Sequence, residues 1–219
     1  MRAGYRAALF DLDGTLTDSA PGITGSVRYA LERMGRPVPP ADALRRFIGP
    51  PLYPSFRGFC GMTDAEAQEA VRLYREDYAA GGAFRASVYP GVPELLGRLR
   101  AAGVFLAVAT SKPRNMTDRV LEHFGLAERF DFVSAPDASV KTLTKDAVIL
   151  PAVRAAGCAP AEAVMVGDTR YDAEGARLAG TAFIGVLYGA DTRAEIAAAG
   201  GSVFARTVRE LSALLIDKS

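Results

Sequence analysis

Apolar runs and amphipathic stretches alternate along most of this chain. Ala7-Ala8-Leu9-Phe10 is a short apolar run that stops at Asp11-Leu12-Asp13-Gly14. A second run, residues 104–109, stops at Thr110-Ser111-Lys112-Pro113, and a third, residues 163–166, stops at Gly167-Asp168-Thr169. Residues 183–186 and 130–133 supply two further runs. Continuous apolar runs of this length, bounded by turn residues, read as buried parallel strands. Between them, residues 94–102, 117–124, 144–156 and 172–179 carry helical apolar spacing; the first and last of these close at Gly103 and Gly180. Strand and helix in alternation predict an open parallel α/β sheet.

Residues 19–86 break that rhythm. Segments 23–34, 40–47 and 64–80 have helical spacing, and no segment there has the pattern of a strand. Pro37-Val38-Pro39-Pro40, Gly49-Pro50-Pro51 and Gly81-Gly82 punctuate the stretch. The division expected is a sheet-bearing core of residues 1–18 and 87–219, with a helical insert over 19–86.

The 219 residues are 49% hydrophobic and 23% charged, an ordinary balance for a globular protein with a sizeable core. A formal net charge of +1 gives no bulk attraction to a nucleic-acid polymer or an anionic membrane. Any phosphate recognition must therefore be local. Cys60 and Cys158 form no C-x-x-C pair or Cys/His cluster, which argues against zinc and for free buried thiols. The N-terminal apolar run is too short for a signal peptide or a membrane span, so the cytoplasm is the expected compartment.

Ligands of open α/β sheets bind beyond the carboxyl ends of the strands, where four polar stations now lie. In an extended segment, residues two apart share a side, so Asp11 and Asp13 face one space while Leu12 faces the core. Gly14 allows a sharp turn after them. Two close carboxylates repel unless a cation or a shared proton intervenes. Magnesium suits such an oxygen site when it also holds phosphate. Asp11 could then attack phosphorus, with Asp13 as general acid and base. Thr110 and Ser111 could hold phosphoryl oxygens, or serve only as a helix N-cap. A lysine near the start of the next helix could balance the charge; spacing leaves Lys141 and Lys145 both open, with Thr144 as a candidate N-cap. Asp168 stands where a metal ligand is needed, and Asp172 could support the metal or orient Lys145. In the insert, Arg45, Arg46 and Arg57 are candidate substrate contacts. His123, the single histidine, is expected to be structural.

Taken together, Asp11-Leu12-Asp13-Gly14-Thr15-Leu16-Thr17-Asp18-Ser19, Thr110-Ser111-Lys112-Pro113, Lys145 and Val166-Gly167-Asp168-Thr169-Arg170-Tyr171-Asp172 resemble the haloacid dehalogenase superfamily of phosphohydrolases. The resemblance implies a Rossmann-like parallel sheet with an inserted α-helical cap. It implies Asp11 as nucleophile, Asp13 as acid/base, and Thr110, Ser111 and Lys145 on the phosphate. Magnesium would be held by the Asp11 side chain, the Asp13 backbone carbonyl and the Asp168 side chain, supported by Asp172. Dehalogenases of the superfamily lack the second aspartate, so Asp13 points to phosphoryl chemistry. Phe47-Ile48-Gly49-Pro50-Pro51-Leu52 and Gly185-Val186-Leu187-Tyr188-Gly189 are most similar to the phosphoglycolate-phosphatase-like and 5′-nucleotidase-like group. The expected activity is Mg2+-dependent hydrolysis of a small phosphomonoester; a sugar phosphomutase and a non-catalytic binder of phosphorylated ligands are the alternatives. Substrate identity and oligomeric state are not legible.

Overall fold

The computed structural model describes residues 4–137, 139–140 and 143–216. The chain forms two compact units: residues 1–17 with 88–219, and residues 18–87. In chain order the strands are β1 (Ala7–Phe10), β2 (Thr17–Asp18), β3 (Ser87–Val88), β4 (Phe105–Ala109), β5 (Phe132–Ser134), β6 (Ala163–Gly167), β7 (Ala182–Val186) and β8 (Phe204–Ala205). The helices are α1 (Ala20–Arg33), α2 (Ala41–Leu44), α3 (Leu52–Cys60), α4 (Asp64–Ala80), α5 (Val92–Ala101), α6 (Arg114–His123), α7 (Asp146–Ala155), α8 (Arg170–Ala179), α9 (Arg193–Ala198) and α10 (Val208–Ile216).

The larger unit is built on a six-stranded sheet in the order β5-β4-β1-β6-β7-β8, parallel throughout. Burial on both faces explains the unbroken apolar runs: every residue of β1 and β6 is buried. Ala7 and Leu9, Ala107 and Ala109, and Ala163 and Met165 form one face, packed by Val148, Ile149, Ala152 and Val153 of α7 and by Ala176 and Ala179 of α8. Small residues on the strands let α7 and α8 approach closely. A fully buried side chain such as Leu9 stabilises the fold by roughly 2 kcal/mol. From β1 the order steps to β4 on one side and to β6 on the other. The carboxyl end of β1 is therefore the switch point, the place where such sheets open a crevice.

The smaller unit contains α1 to α4, with α1 packed on α4 through Ile23, Val27, Ala30 and Leu31 against a face that includes Ala67, Ala70, Leu73 and Tyr74. Thr63 and Glu66 cap α4 reciprocally. The segment expected to be one helix over 40–47 is α2 followed by a 3-10 turn, Arg45–Phe47. α3 was not legible because its sequence opens Pro51-Leu52-Tyr53-Pro54. Yet Pro54 falls in the first turn, where a missing N–H forfeits no helical bond. β2 and β3 pair with each other, and the boundaries between the units fall inside them. Among the described residues, no helix is long and apolar enough to cross a membrane. Cys60 and Cys158 are free as expected, but half-buried rather than buried.

Candidate active site

At the end of β1, the Asp11 N–H donates to the Val166 carbonyl at 2.9 Å, so the strand pairing persists one residue into the acidic motif. Asp11 is 7% exposed. Its Oδ1 lies 2.7 Å from Lys145 Nζ, and the same ammonium lies 2.6 Å from Asp172 Oδ1. One lysine thus bridges two buried carboxylates. Lys145 immediately precedes α7 rather than lying in its first turn, and its carbonyl accepts the N–H groups of Val148 and Ile149. The backbone that carries it is thereby fixed. Lys141, the other lysine left open, lies outside the described residues. Lys145 reaches the site because α8 crosses close by at Gly175, where a Cβ would collide with Lys145 Cβ.

Asp172 does two jobs at once. Its Oδ2 accepts the Thr169 N–H at 3.0 Å and the Thr169 hydroxyl at 2.7 Å, capping α8, while Oδ1 holds Lys145. The same side chain thus caps α8 and orients Lys145.

Asp168 is fully buried at the end of β6. Its Oδ1 accepts the Thr15 hydroxyl at 3.1 Å, and its Oδ2 accepts the Ala190 N–H at 2.8 Å. Gly14 adopts a φ of +83°, and a Cβ there would strike the Asp168 carboxylate. The glycine therefore serves both the turn and this close approach. Tyr188 donates its hydroxyl to the Thr15 carbonyl at 3.2 Å, and its ring packs at a tilt against Tyr89 with ring centroids 4.6 Å apart.

Oxygens of Asp11, Asp168 and Asp172 all lie within 4.8 Å of one another. Three buried carboxylates thus lie close together, and one buried ammonium pairs with two of them. Burial raises the Asp11 carboxyl to about 6, with Asp172 adding to the effect and Lys145 opposing it. Burial, then Asp172 and Asp11, hold the Asp168 carboxyl well above its ordinary range. Burial alone would lower the Lys145 ammonium, but Asp11 and Asp172 outweigh it and drive it upward. A hard divalent cation would remove this repulsion, so the residues fit an ion of magnesium type.

Asp13 is separate from that acidic cluster. Both its carboxylate oxygens lie 2.8 Å from Lys112 Nζ. Lys112 is 8% exposed, a burial its place in a loop after a strand did not announce. Thr110 is buried at the end of β4; its N–H donates to the Ser134 carbonyl and its hydroxyl accepts the Lys112 N–H at 3.2 Å. Ser111 is exposed on the same loop, outside the buried cluster. Two of the candidate arginines have partners within their own unit: Arg46 stacks over Phe59 at 4.2 Å, and Arg57 pairs with Asp64 at 3.0 Å. Arg45 is exposed. His123 ends α6 with its ring 4.8 Å from that of Phe124.

A family model described as haloacid dehalogenase-like hydrolase matches residues 8–186, a span that includes every residue of this cluster. The chain belongs to that family. As a haloacid dehalogenase-like protein it has curated relatives with different names. It is 41% identical over 183 residues to the tyrosine-protein kinase PtkA of Mycobacterium tuberculosis, covering 83% of this chain and 62% of that one. The chain thus spans under two thirds of that relative's length. It is 39% identical over 194 residues to a 5′-nucleotidase of Pseudomonas aeruginosa, covering 89% and 88% of the two chains. With a phosphoglycolate phosphatase of Pseudomonas putida it shares 31% over 191 residues, covering 84% and 70%. The fold superimposes on a crystal structure of a predicted phosphatase from Clostridium acetobutylicum with a TM-score of 0.88 at 40% identity, covering 95% and 96%.

Proposed function

We propose that this chain is a phosphatase that removes a phosphoryl group from a small phosphomonoester by way of a phospho-aspartate on Asp11. The observation that carries the reading is the buried meeting of Asp11, Lys145, Asp168 and Asp172 at the carboxyl end of β1. Asp11 and Asp168, with the Asp13 backbone carbonyl, would hold Mg2+, and Asp172 would support them. When bound, the ion supplies positive charge between the carboxylates and the phosphoryl oxygens. An Asp11 oxygen attacks phosphorus, forming the aspartyl P–O bond as the ester P–O bond breaks. Asp13 gives a proton to the departing oxygen and then takes one from the water that attacks the phospho-aspartate, releasing phosphate and restoring Asp11. Lys145 balances the charge on Asp11 and the phosphoryl group. Thr110 and Ser111 contribute hydroxyl or backbone donors to that group.

The helical insert, residues 19–86, is the cap of this reading. Phosphoglycolate and nucleoside 5′-monophosphates are the substrates to test first, since relatives carry those names. The cytoplasm remains the compartment proposed.

Magnesium-dependent phosphate release from p-nitrophenyl phosphate, followed by a panel of metabolite phosphates, tests the reading. Asp11→Asn should abolish turnover. Full activity in that variant, or no activity in the wild type, overturns the mechanism.

The relative named as a tyrosine kinase favours one second reading, in which a tyrosine hydroxyl rather than water is the final acceptor. Mass spectrometry of a tyrosine peptide incubated with the protein and a nucleoside triphosphate separates the two.

A further inference from the structure

Three of the four carboxylates of the site pair with two buried lysines. Lys145 holds Asp11 and Asp172, and Lys112 holds Asp13. The Lys112–Asp13 contact is symmetric, 2.8 Å to each oxygen, with side-chain exposures of 6% and 20%. A contact to both oxygens turns the end of a short carboxylate toward the ammonium, which a one-oxygen contact constrains less.

The loop behind Lys112 is itself pinned. Its N–H donates to the Thr110 hydroxyl at 3.2 Å, and its carbonyl accepts the Thr117 hydroxyl at 3.1 Å. Thr117 is fully buried in the first turn of α6 and also donates to the Pro113 carbonyl. The Lys112 backbone is thus held on both sides by threonine hydroxyls, beyond the end of the strand next to β1. A surface lysine retained only for solubility needs none of this. Burying an ammonium is costly unless a specific partner repays it.

We infer that Lys112 is a positioning residue for Asp13, aiming its carboxylate at the leaving oxygen while Lys145 keeps Asp11 for phosphorus. This rests on the phosphatase reading above. The inference makes a prediction that mere structural support does not. A misplaced proton donor matters when the departing oxygen is strongly basic, and little when the leaving group is stable as an anion. An alkyl phosphate and p-nitrophenyl phosphate span that difference.

The experiment compares wild type, Lys112→Met, Lys112→Gln and Lys112→Arg on both esters with Mg2+. We expect kcat of the Met and Gln variants to fall at least about tenfold on the alkyl ester and only about two- to threefold on the aryl ester. KM should change little, and arginine should restore part of the alkyl rate. Thermal melts identify a variant that fails to fold, and the remaining variants then carry the comparison. Equal losses on both esters, or a change confined to KM, overturn the inference and leave the phosphatase reading standing. A wild type inactive on both esters overturns that reading, and this inference with it.

Discussion

The Thr15 hydroxyl donates to Asp168 Oδ1 at 3.1 Å, joining residues 153 positions apart in the chain. The bond ties the turn after β1 to the turn after β6, and both its ends are buried. Thr15→Val keeps the side-chain volume but removes the donor. We expect a stability loss of about 1–3 kcal/mol in urea unfolding. We also expect Mg2+ affinity to weaken by about tenfold or more in calorimetry, because the carboxylate is no longer oriented.

Asp168 makes stability depend on pH and on metal. Its carboxyl is raised above its ordinary value on folding, so its stabilising contribution is full at acid pH and is lost as pH rises. Asp11 behaves alike, with the loss running from near 3.8 to about 6. Without a divalent ion, the wild type should therefore melt lower at pH 8 than at pH 5. Asp168→Asn keeps an oxygen for the Ala190 N–H, and the Thr15 hydroxyl can turn to accept from the amide. In chelator at pH 8 this variant should melt at or above wild type, and Mg2+ should raise only the wild-type melting temperature. A wild type whose melt ignores Mg2+ would contradict the proposed metal site.

Lys145 is the shared counter-charge of Asp11 and Asp172. Replacing it by methionine leaves two buried carboxylates facing each other. The cost should be about 3–5 kcal/mol by denaturant unfolding. The deficit should widen as pH rises through the carboxylate range and narrow at pH 4. A deficit independent of pH would mean that packing, not charge, is what Lys145 provides.

Gly175 sits mid-helix in α8, where alanine would ordinarily gain about 1 kcal/mol. Here the new methyl would collide with Lys145 Cβ. Overpacking of this sort costs about 1–3 kcal/mol, so the clash should win. Gly175→Ala should lower both the melting temperature and turnover, through displacement of Lys145 rather than loss of any reacting group. A more stable and fully active variant would show that α7 can yield.

Much of the sheet was determined by local pattern. A strand buried on both faces must be apolar throughout, so β1, β4 and β6 stand out in the chain, and glycine can end helices such as α8 because it adopts left-handed backbone cheaply. The polar residues that follow these strands were legible for the same reason, since each apolar run stops sharply at them. The two-residue strands β2, β3 and β8 are too short to show a period, and α3 is hidden by its prolines. What tertiary structure alone decided is partnership. Whether Lys112 faces solvent or Asp13, whether Asp172 caps α8 or also holds Lys145, and why residue 175 must lack a side chain all depend on which strands lie beside β1. That order brings together groups far apart in the chain, such as Asp13 and Lys112, separated by 99 positions. Coulomb forces and steric exclusion act on distance in space, which spacing along a chain does not record.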